Sequence, residues 1–279
     1  MTTVTATRAQ TITAPRRLTR HEIRAAFNKR VLSWLAIGIF LFLYVPIIIL
    51  VIYSFNANRV VGVWTGFSTE WYQTLFSNRA MGSAFRVSMW VAIWTTVIST
   101  VLGTLAALVL ERFRFRGRLT FDAVLYLPII IPDIVMALST LLFFVIFTVP
   151  LSRYTILIAH TAFNISFVAV VVRARLAGMD AALEEAAADL GADQWTTFRR
   201  VTLPLLMPGI VSGALLAFTL SLDDFVITFF VSGPGSTTLP VRVYSMIKFG
   251  VTPEVNAIST LMFLGSTLLV VISLLLQRR

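Results

Sequence analysis

The feature that most constrains this fold is a series of long apolar runs with almost no charged residues. Val31–Tyr53 and Val87–Leu110, for example, contain no Asp, Glu, Lys or Arg. About 20 apolar residues in a helix cross a hydrocarbon core of about 30 Å, and a helix satisfies its own backbone hydrogen bonds where water is absent. The sequence therefore predicts an all-α membrane protein with six transmembrane helices: Val31–Tyr53, Val87–Leu110, Ala123–Pro150, Tyr154–Val172, Pro208–Phe230 and Val255–Gln277.

Composition supports a membrane protein and narrows the kinds of site it can contain. Of the 279 residues, 57% are hydrophobic and 13% are charged, well outside the usual range of soluble domains. The chain contains no cysteine, which excludes disulfides and thiolate metal sites. We expect no cofactor or metal to be bound by this chain.

The distribution of positive charge predicts the orientation in the membrane. Most of the 23 Lys and Arg residues lie before the first run, in the connections that follow the second and fourth runs, and at the C-terminus. Positive residues concentrate in cytoplasmic segments, so both termini should be cytoplasmic. The net charge of +10 is thus mainly a topology signal and leaves little basis for nucleic-acid binding. Residues 1–30 are predicted to be a basic, disordered tail that meets lipid headgroups, and residues 31–279 the transmembrane domain.

The cytoplasmic connection 174–207 has the composition of a docking element. The segment "ALEEAAADL" consists of strong helix formers, and Gly191 suits the left-handed position after a helix. Asp193 is then placed to cap a second short helix, Gln194–Arg200. Helices that lie on lipid carry Lys or Arg on their polar face, whereas this one carries acids and alanines. We therefore favour docking to another protein over a purely structural connector.

This connection also contains a recognisable motif. The pattern is E-A-A, three residues, G, nine residues, a β-branched residue, one residue, and L-P. It resembles the cytoplasmic loop of ABC-importer permeases, with valine where isoleucine is more usual. The matching residues are Glu185, Ala186, Ala187, Gly191, Val201, Leu203 and Pro204.

The resemblance implies that the loop couples the spans to a separate ATPase subunit, which uses ATP and Mg. The sequence has no G-x-x-x-x-G-K-[ST] motif, so this chain is expected to be a non-catalytic subunit.

Three acids within the spans are functional candidates because each costs about 2.5–3.5 kcal/mol at a helix centre on insertion scales. Asp133 either caps the second half of a broken helix or contacts substrate. On an ideal helix, Ser221, Asp224 and Thr228 share one face, and Asp223 lies on another. On a regular helix, one of Asp223 and Asp224 would line a substrate path while the other contacts a neighbouring helix. Alternatively, the helix is locally unwound there and both acids point inward.

No Lys or Arg lies near these acids within the spans, so three uncompensated carboxylates predict a cationic ligand. His160 and Asn164, one turn apart, are predicted to form hydrogen bonds between helices.

A wider resemblance specifies the cargo. From Val31 onward the chain is similar to permease subunits of bacterial spermidine/putrescine ABC importers, notably in "IPDIVMA" and "SLDDFVITFFVSGPGSTTLPVRVYSMIKFGVTPEVNA". This implies the type I ABC importer permease fold and uptake of polyamines by alternating access across the bacterial inner membrane. The implied partners are a second, different permease, two ATPase copies and an extracytoplasmic polyamine-binding protein. The implied substrate contacts are Asp133, Asp223, Asp224, Ser221 and Trp64.

Two other functions remain open from the residues alone. The cargo of such an importer is either a polyamine or another small solute, such as an opine or a metal chelate. A secondary transporter driven by protons through the three acids is a different class, against which the E-A-A loop argues. A membrane enzyme is the least favoured, because the sequence offers no nucleophile–base pair and no metal-binding cluster.

Overall fold

The structure is a computed structural model that describes residues 20–59, 62–248, 250 and 252–277, with side chains from Lys29 to Val271 within those ranges. The predicted disordered tail, 1–30, lies largely outside the described residues. Its last part differs from the prediction, because the first helix begins at Arg20.

Almost all of the described residues are helical. The only β pairing among them is an isolated antiparallel bridge between Asn56 and Phe67. In chain order, the helices are α1 Arg20–Tyr53, α2 Glu70–Ser77, α3 Arg79–Arg112, α4 Arg118–Ile130, α5 Asp133–Ile146, α6 Arg153–Ala177, α7 Ala182–Asp189, α8 Gln194–Thr197, α9 Leu203–Asp223, α10 Val226–Val231, α11 Leu239–Ile247 and α12 Pro253–Gln277. A π-helical turn, Phe198–Thr202, joins α8 to α9.

The predicted spans correspond to helices of suitable length and composition. Within the described residues, five helical runs could each cross a membrane: part of α1, then α3, α6, Gln194–Asp223 and most of α12. The bent pair α4 and α5 passes the same test when taken together. The prediction of an all-α membrane protein is therefore confirmed at this level.

The third predicted span is not one helix. The structure replaces Ala123–Pro150 with α4 and α5, whose axes differ by 112°. Pro132 explains the break, because proline disfavours a helical conformation in the residue before it, and Ile131 is extended at φ −74°, ψ 131°. The prediction of a continuous span is wrong, and the alternative of a broken helix is confirmed.

The chain divides into two compact units, Met1–Ile49 and Leu50–Arg279. In the first unit, the apolar side chains of α1 from Val31 to Val45 are exposed. This is expected of a helix whose surroundings are lipid or another protein.

In the second unit, α3, α6 and α9 make the most extensive contacts with one another. Small residues let these helices approach closely. A Cβ atom added to Gly103 of α3 would lie 2.8 Å from Cβ of Val168 on α6, and one added to Gly213 of α9 would lie 3.3 Å from Cγ1 of the same valine. Membrane helices associate through such close packing because lipid provides no hydrophobic driving force between them.

The remaining helices of this unit pack around the α3–α6–α9 core. Helix α10 contacts α5 and α6, and α12 contacts α2 and α9. Side chains of α5, α6 and α10 share one buried cluster that includes Phe144, Ile156, Ile227 and Val231. This cluster fixes the short helix α10, at whose beginning the two adjacent acids of the fifth predicted span lie.

The close contact at Gly103 gives a first prediction. Gly103→Ala should lower the melting temperature of the purified protein by about 5 °C, because overpacking a tight interface costs about 1–3 kcal/mol. The measurement is thermal unfolding in detergent. The matched control is Gly82→Ala on the same helix, where the nearest neighbour of an added Cβ is a flexible arginine tip at 3.8 Å. Equal melting temperatures for the two variants would contradict this account.

Candidate functional site

The fifth predicted span is interrupted where its two acids lie. Helix α9 ends at Asp223, Asp224 is extended at φ −63°, ψ 124°, and α10 begins at Val226. The prediction of an uninterrupted helix through Phe230 is therefore wrong. The helix is unwound here, as one alternative proposed, but the two acids do not share one environment as that alternative also required. The break also separates the environments of the two neighbouring carboxylates.

Asp224 is held inside the protein by α10 itself. Its Oδ1 accepts hydrogen bonds from the amide of Thr228 at 2.8 Å and from the hydroxyl of Thr228 at 2.9 Å. Its Oδ2 accepts a longer bond, 3.4 Å, from the amide of Ile227. An aspartate that accepts from amides of the first turn satisfies donors that the helix leaves unpaired, and its charge is favourable at a helix N-terminus.

His160 of α6 completes this cluster. Its side chain is 1% exposed, and its Nε2 lies 3.1 Å from Oδ1 of Asp224 and 2.9 Å from Oγ1 of Thr228. Its Nδ1 lies 2.8 Å from Oγ of Ser221. The prediction that His160 bonds between helices is confirmed, and its contact with Asp224 is a hydrogen bond that the sequence did not indicate. Asn164 instead donates to the carbonyl of His160 within the same helix.

Asp223 lies in the opposite kind of environment. It is exposed, and its carboxylate accepts only from the hydroxyl of Ser266, at 3.4 and 3.5 Å. Within the described part of the chain, no Lys, Arg or His pairs with it. It also occupies the last residue of α9, where the negative end of the helix dipole disfavours an acid and favours a cation. Asp223 therefore offers an uncompensated negative charge.

A cavity of about 570 Å³ lies beside Asp223. Its walls are apolar and come mainly from α2, α3, α9 and α12, including Phe85, Met89, Phe218 and Met262. Asp223 is the one charged residue among those that line it. This combination suits a ligand with a cationic group on an aliphatic chain.

Asp133 and Trp64 are both accessible. Asp133 is the first residue of α5, is exposed, and makes no hydrogen bond or ion pair with any described residue. Pro132 occupies the cap position, so the alternative that Asp133 caps the half-helix is not observed. Trp64 is 46% exposed in the loop between α1 and α2, where its ring meets that of Tyr53 edge to face.

The hairpin 182–197 follows the predicted pattern at its turn. Gly191 has φ +82°, the left-handed region that glycine favours. The amide of Gly191 donates to the carbonyl of Ala188, and that of Ala192 to Ala187, which closes the end of α7. Asp193 occupies the N-cap position of α8 as predicted, but its side chain makes no capping hydrogen bond. The pKa of its carboxyl is below the ordinary value, mainly because of the nearby Thr196 side chain.

The predicted second short helix, Gln194–Arg200, is longer in the structure. It continues through the π turn directly into α9. Pro204 accounts for the widened turn, because proline has no amide hydrogen to donate to the carbonyl four residues earlier. The run Gln194–Asp223 is thus continuously helical.

An ion pair that the sequence did not reveal ties the hairpin to the bundle. Arg112, at the end of α3, pairs with Glu184 of α7, and the hydroxyl of Thr202 donates to the same carboxylate at 2.5 Å. Thr202 itself is fully buried. Glu184 precedes the matched E-A-A residues, and its partner Arg112 lies on another helix, so no local pattern could identify the contact.

The opposite side of the hairpin is open. Glu185 and Ala186 are exposed, and Glu185 makes no ion pair with a described residue. Two large apolar side chains, Leu190 and Trp195, are 89% and 66% exposed. Of the other motif residues, Gly191 and Pro204 are exposed, while Ala187 and Leu203 are half-buried. An acidic residue beside exposed apolar groups forms a surface suited to another protein.

The described residues contain no group of three or more His, Cys, Asp or Glu side chains that could hold a metal ion.

Comparison with known proteins gives a consistent result. The family described as "Binding-protein-dependent transport system inner membrane component" matches residues 99–279. The putrescine transport system permease protein PotI of Escherichia coli K12 is 49% identical over 229 residues, covering 80% of this chain and 82% of that protein. The spermidine/putrescine transport system permease protein PotC of the same organism is 42% identical over 241 residues, covering 86% and 91%.

A solved structure shares the fold. A chain from the crystal structure of a bacterial ABC transporter involved in the import of the acidic polysaccharide alginate aligns with a TM-score of 0.68. It is 19% identical, and the alignment covers 92% of this chain and 98% of that one. The helical arrangement is therefore shared with that chain of the alginate transporter.

The Arg112–Glu184–Thr202 contact gives a second prediction. Glu184→Gln should accelerate hydrogen–deuterium exchange in α7 about fivefold, because loss of a partly buried charged contact costs about 1 kcal/mol. The matched control is Glu185→Gln, which changes the adjacent, exposed acid and should leave exchange in α7 unaltered in the absence of other proteins. Equal exchange in both variants would show that the contact does not hold the hairpin.

Proposed function

Because the chain belongs to the family of binding-protein-dependent transport system inner membrane components, we propose that it is the permease subunit of an ATP-driven importer of polyamines. The observation that carries this proposal is the exposed, uncompensated carboxylate of Asp223 beside an apolar cavity. The printed names of the relatives, putrescine and spermidine/putrescine permeases, support the same cargo. A linear polyamine carries ammonium groups separated by methylenes, which matches a carboxylate with aliphatic and aromatic walls.

The cation path is assigned from accessibility. Asp223 and Asp133 are both exposed, both lie at breaks in predicted spans, and neither has a basic partner among the described residues. Trp64, in an outer loop, is placed to meet a cation by its ring face before the cation reaches the acids. Asp224 and Ser221, the other residues implied to contact substrate, belong to the same region but are engaged by His160.

The hairpin is assigned to energy coupling. Its exposed face, with Glu185, Ala186, Leu190 and Trp195, docks on a separate ATPase subunit, and Gly191 shapes the turn that presents it. ATP and Mg are used by that partner, since this chain has no phosphate-binding loop. Movement of the docked hairpin reaches α3 through Arg112 and reaches α9 directly along the chain.

The assembly and topology complete the proposal. We count the α4–α5 pair as one span, which makes six with the five single helical runs. We assign both termini to the cytoplasm from the distribution of Lys and Arg. The permease pairs with a second, different permease, two ATPase copies and an extracytoplasmic binding protein that delivers the polyamine. Import of another small solute is the alternative within this class, and competition for uptake by putrescine and spermidine separates the two.

The cargo assignment yields a third prediction. Asp223→Asn and Asp133→Asn should each raise the KM for putrescine uptake about tenfold, since each removes one negative charge from the path. The measurement is radiolabelled uptake into proteoliposomes that contain the assembled importer. The control is Glu70→Gln, which removes an exposed acid at the start of α2. Unchanged KM in both aspartate variants would overturn the cation path.

The coupling assignment yields a fourth prediction. Gly191→Val should reduce uptake at least tenfold while ATP hydrolysis by the assembled importer continues, because valine at φ +82° costs about 1–2 kcal/mol and distorts the docked turn. Gly117→Val is the matched control, since Gly117 has φ +90° and, like Gly191, no atom within 4 Å of an added Cβ. Equal uptake rates for the Gly191→Val and Gly117→Val importers would contradict the assignment.

A further inference from the structure

We propose that His160 is a positioning residue, and that it holds Asp224 as a structural tie across the helix break, while Asp223 is the acid of the adjacent pair that meets the cation. The inference rests on the proposed function for the identity of the cation. It assigns one role to each of the two adjacent acids, and it gives a role to a buried histidine outside the recognised motifs.

The geometry places one imidazole ring across the whole interruption. Nδ1 contacts Ser221 in the last turn of α9, and Nε2 contacts Thr228 in α10. Between them, Nε2 also reaches Asp224, the extended residue at the break itself. Removing the ring therefore removes the side-chain contact shared by both helix ends.

The donors and acceptors of this cluster are consistent with a ring hydrogen assigned to Nε2 of His160. The hydroxyl of Thr228 donates to Asp224, so its oxygen is free to accept from Nε2–H of His160. The same Nε2–H lies within reach of Oδ1 of Asp224. Nδ1 then accepts from the hydroxyl of Ser221. With this assignment, each polar side chain of the cluster has a hydrogen-bond partner within the protein.

Asp224 is engaged by several donors within the protein, whereas Asp223 is not. Oδ1 of Asp224 receives Thr228 N–H, Thr228 O–H and His160 Nε2–H, and the side chain is 15% exposed. A substrate ammonium at Asp224 would have to displace these donors. Asp223 makes only the long contacts to Ser266 and faces the cavity. The cation therefore binds at Asp223 with no such cost.

Helix α6 also fixes the other end of α10. The hydroxyl of Thr155 donates to the carbonyl of Val231 at 2.7 Å. Beyond it, Gly233 lies so close to Leu151 that an added Cβ would be 1.8 Å from that residue's carbonyl oxygen. The C-terminal end of α10 is anchored in this way. The position of its N-terminal end, at the break at Asp224, is then fixed by the contacts of His160.

The first arm of the test compares two neighbouring aspartates in the assembled, reconstituted importer. If Asp224 acts only by accepting hydrogen bonds, Asp224→Asn retains an oxygen for Thr228 and His160 and changes the KM for putrescine less than threefold. Asp223→Asn removes the charge that binds the cation and raises KM about tenfold. A rise for Asp224→Asn as large as that for Asp223→Asn would overturn the proposal.

The second arm compares two amides at position 160. His160→Gln places an amide N–H near the position of Nε2 and should keep KM within threefold of the wild-type value. His160→Asn reaches only towards Ser221 and should raise KM about tenfold, with a smaller change in kcat. Equal behaviour of the two variants, whether both active or both impaired, would show that His160 only fills space. Thr161→Val is the control on α6, because the hydroxyl of Thr161 makes no hydrogen bond with a described residue.

Failure of the positioning role is distinguishable from failure of the cargo assignment. If the wild-type importer takes up neither putrescine nor spermidine, the proposed function fails, and the melting temperature of the complex then tests the tie. His160→Asn should lower that temperature by several degrees and His160→Gln by much less, while Asp223→Asn should not lower it. Equal melting temperatures for the two His160 variants would overturn the tie regardless of cargo.

Discussion

Three helices of the bundle meet at one valine, Val168 of α6, which packs against a glycine on each of two neighbouring helices. Gly103 on α3 and Gly213 on α9 bring their helices onto α6 from two directions, with no room for a methyl group at Gly103. Because lipid gives no hydrophobic driving force between helices, such close packing supplies much of the attraction that sets the bundle. It also determines where α6 places its polar residues, among them His160 towards α9 and α10 and Arg173 towards α3 and α4.

Arg173 illustrates how α6 organises the end of the bundle that bears the hairpin. Its guanidinium group bonds to Glu111 of α3 at 2.8 Å and to Asp122 of α4 at 2.5 Å. Deeper in the bundle, His160 of the same helix hydrogen-bonds Ser221 of α9 and Asp224 at the break before α10. Helix α6 thus supplies both the ionic contacts of Arg173 and the hydrogen bonds of His160. The two interrupted pairs of helices, α4–α5 and α9–α10, are among the elements that it contacts.

Sequence reasoning predicted the elements well and their interruptions less well. The positions of the apolar helices follow from length and hydropathy, because a hydrocarbon core leaves the backbone few other choices. The break before Asp133 has a local cause, Pro132, which the sequence displays. The break at Asp224 contains neither proline nor glycine, and its main side-chain partner, His160, lies in another span. Periodicity within one span placed Ser221, Asp224 and Thr228 on one face but could not identify what they face.

The continuous helical run from Gln194 to Asp223 has a mechanical consequence. It begins at the exposed hairpin and ends at the carboxylate assigned to the cation, a length of about 45 Å at 1.5 Å per residue. The π turn within it holds one more residue per turn than an α-helical turn. Converting that turn to regular α-helix would rotate everything beyond it by about 100°. The direction of Asp223 is therefore geometrically linked to the winding of five residues at the opposite end of the same helix.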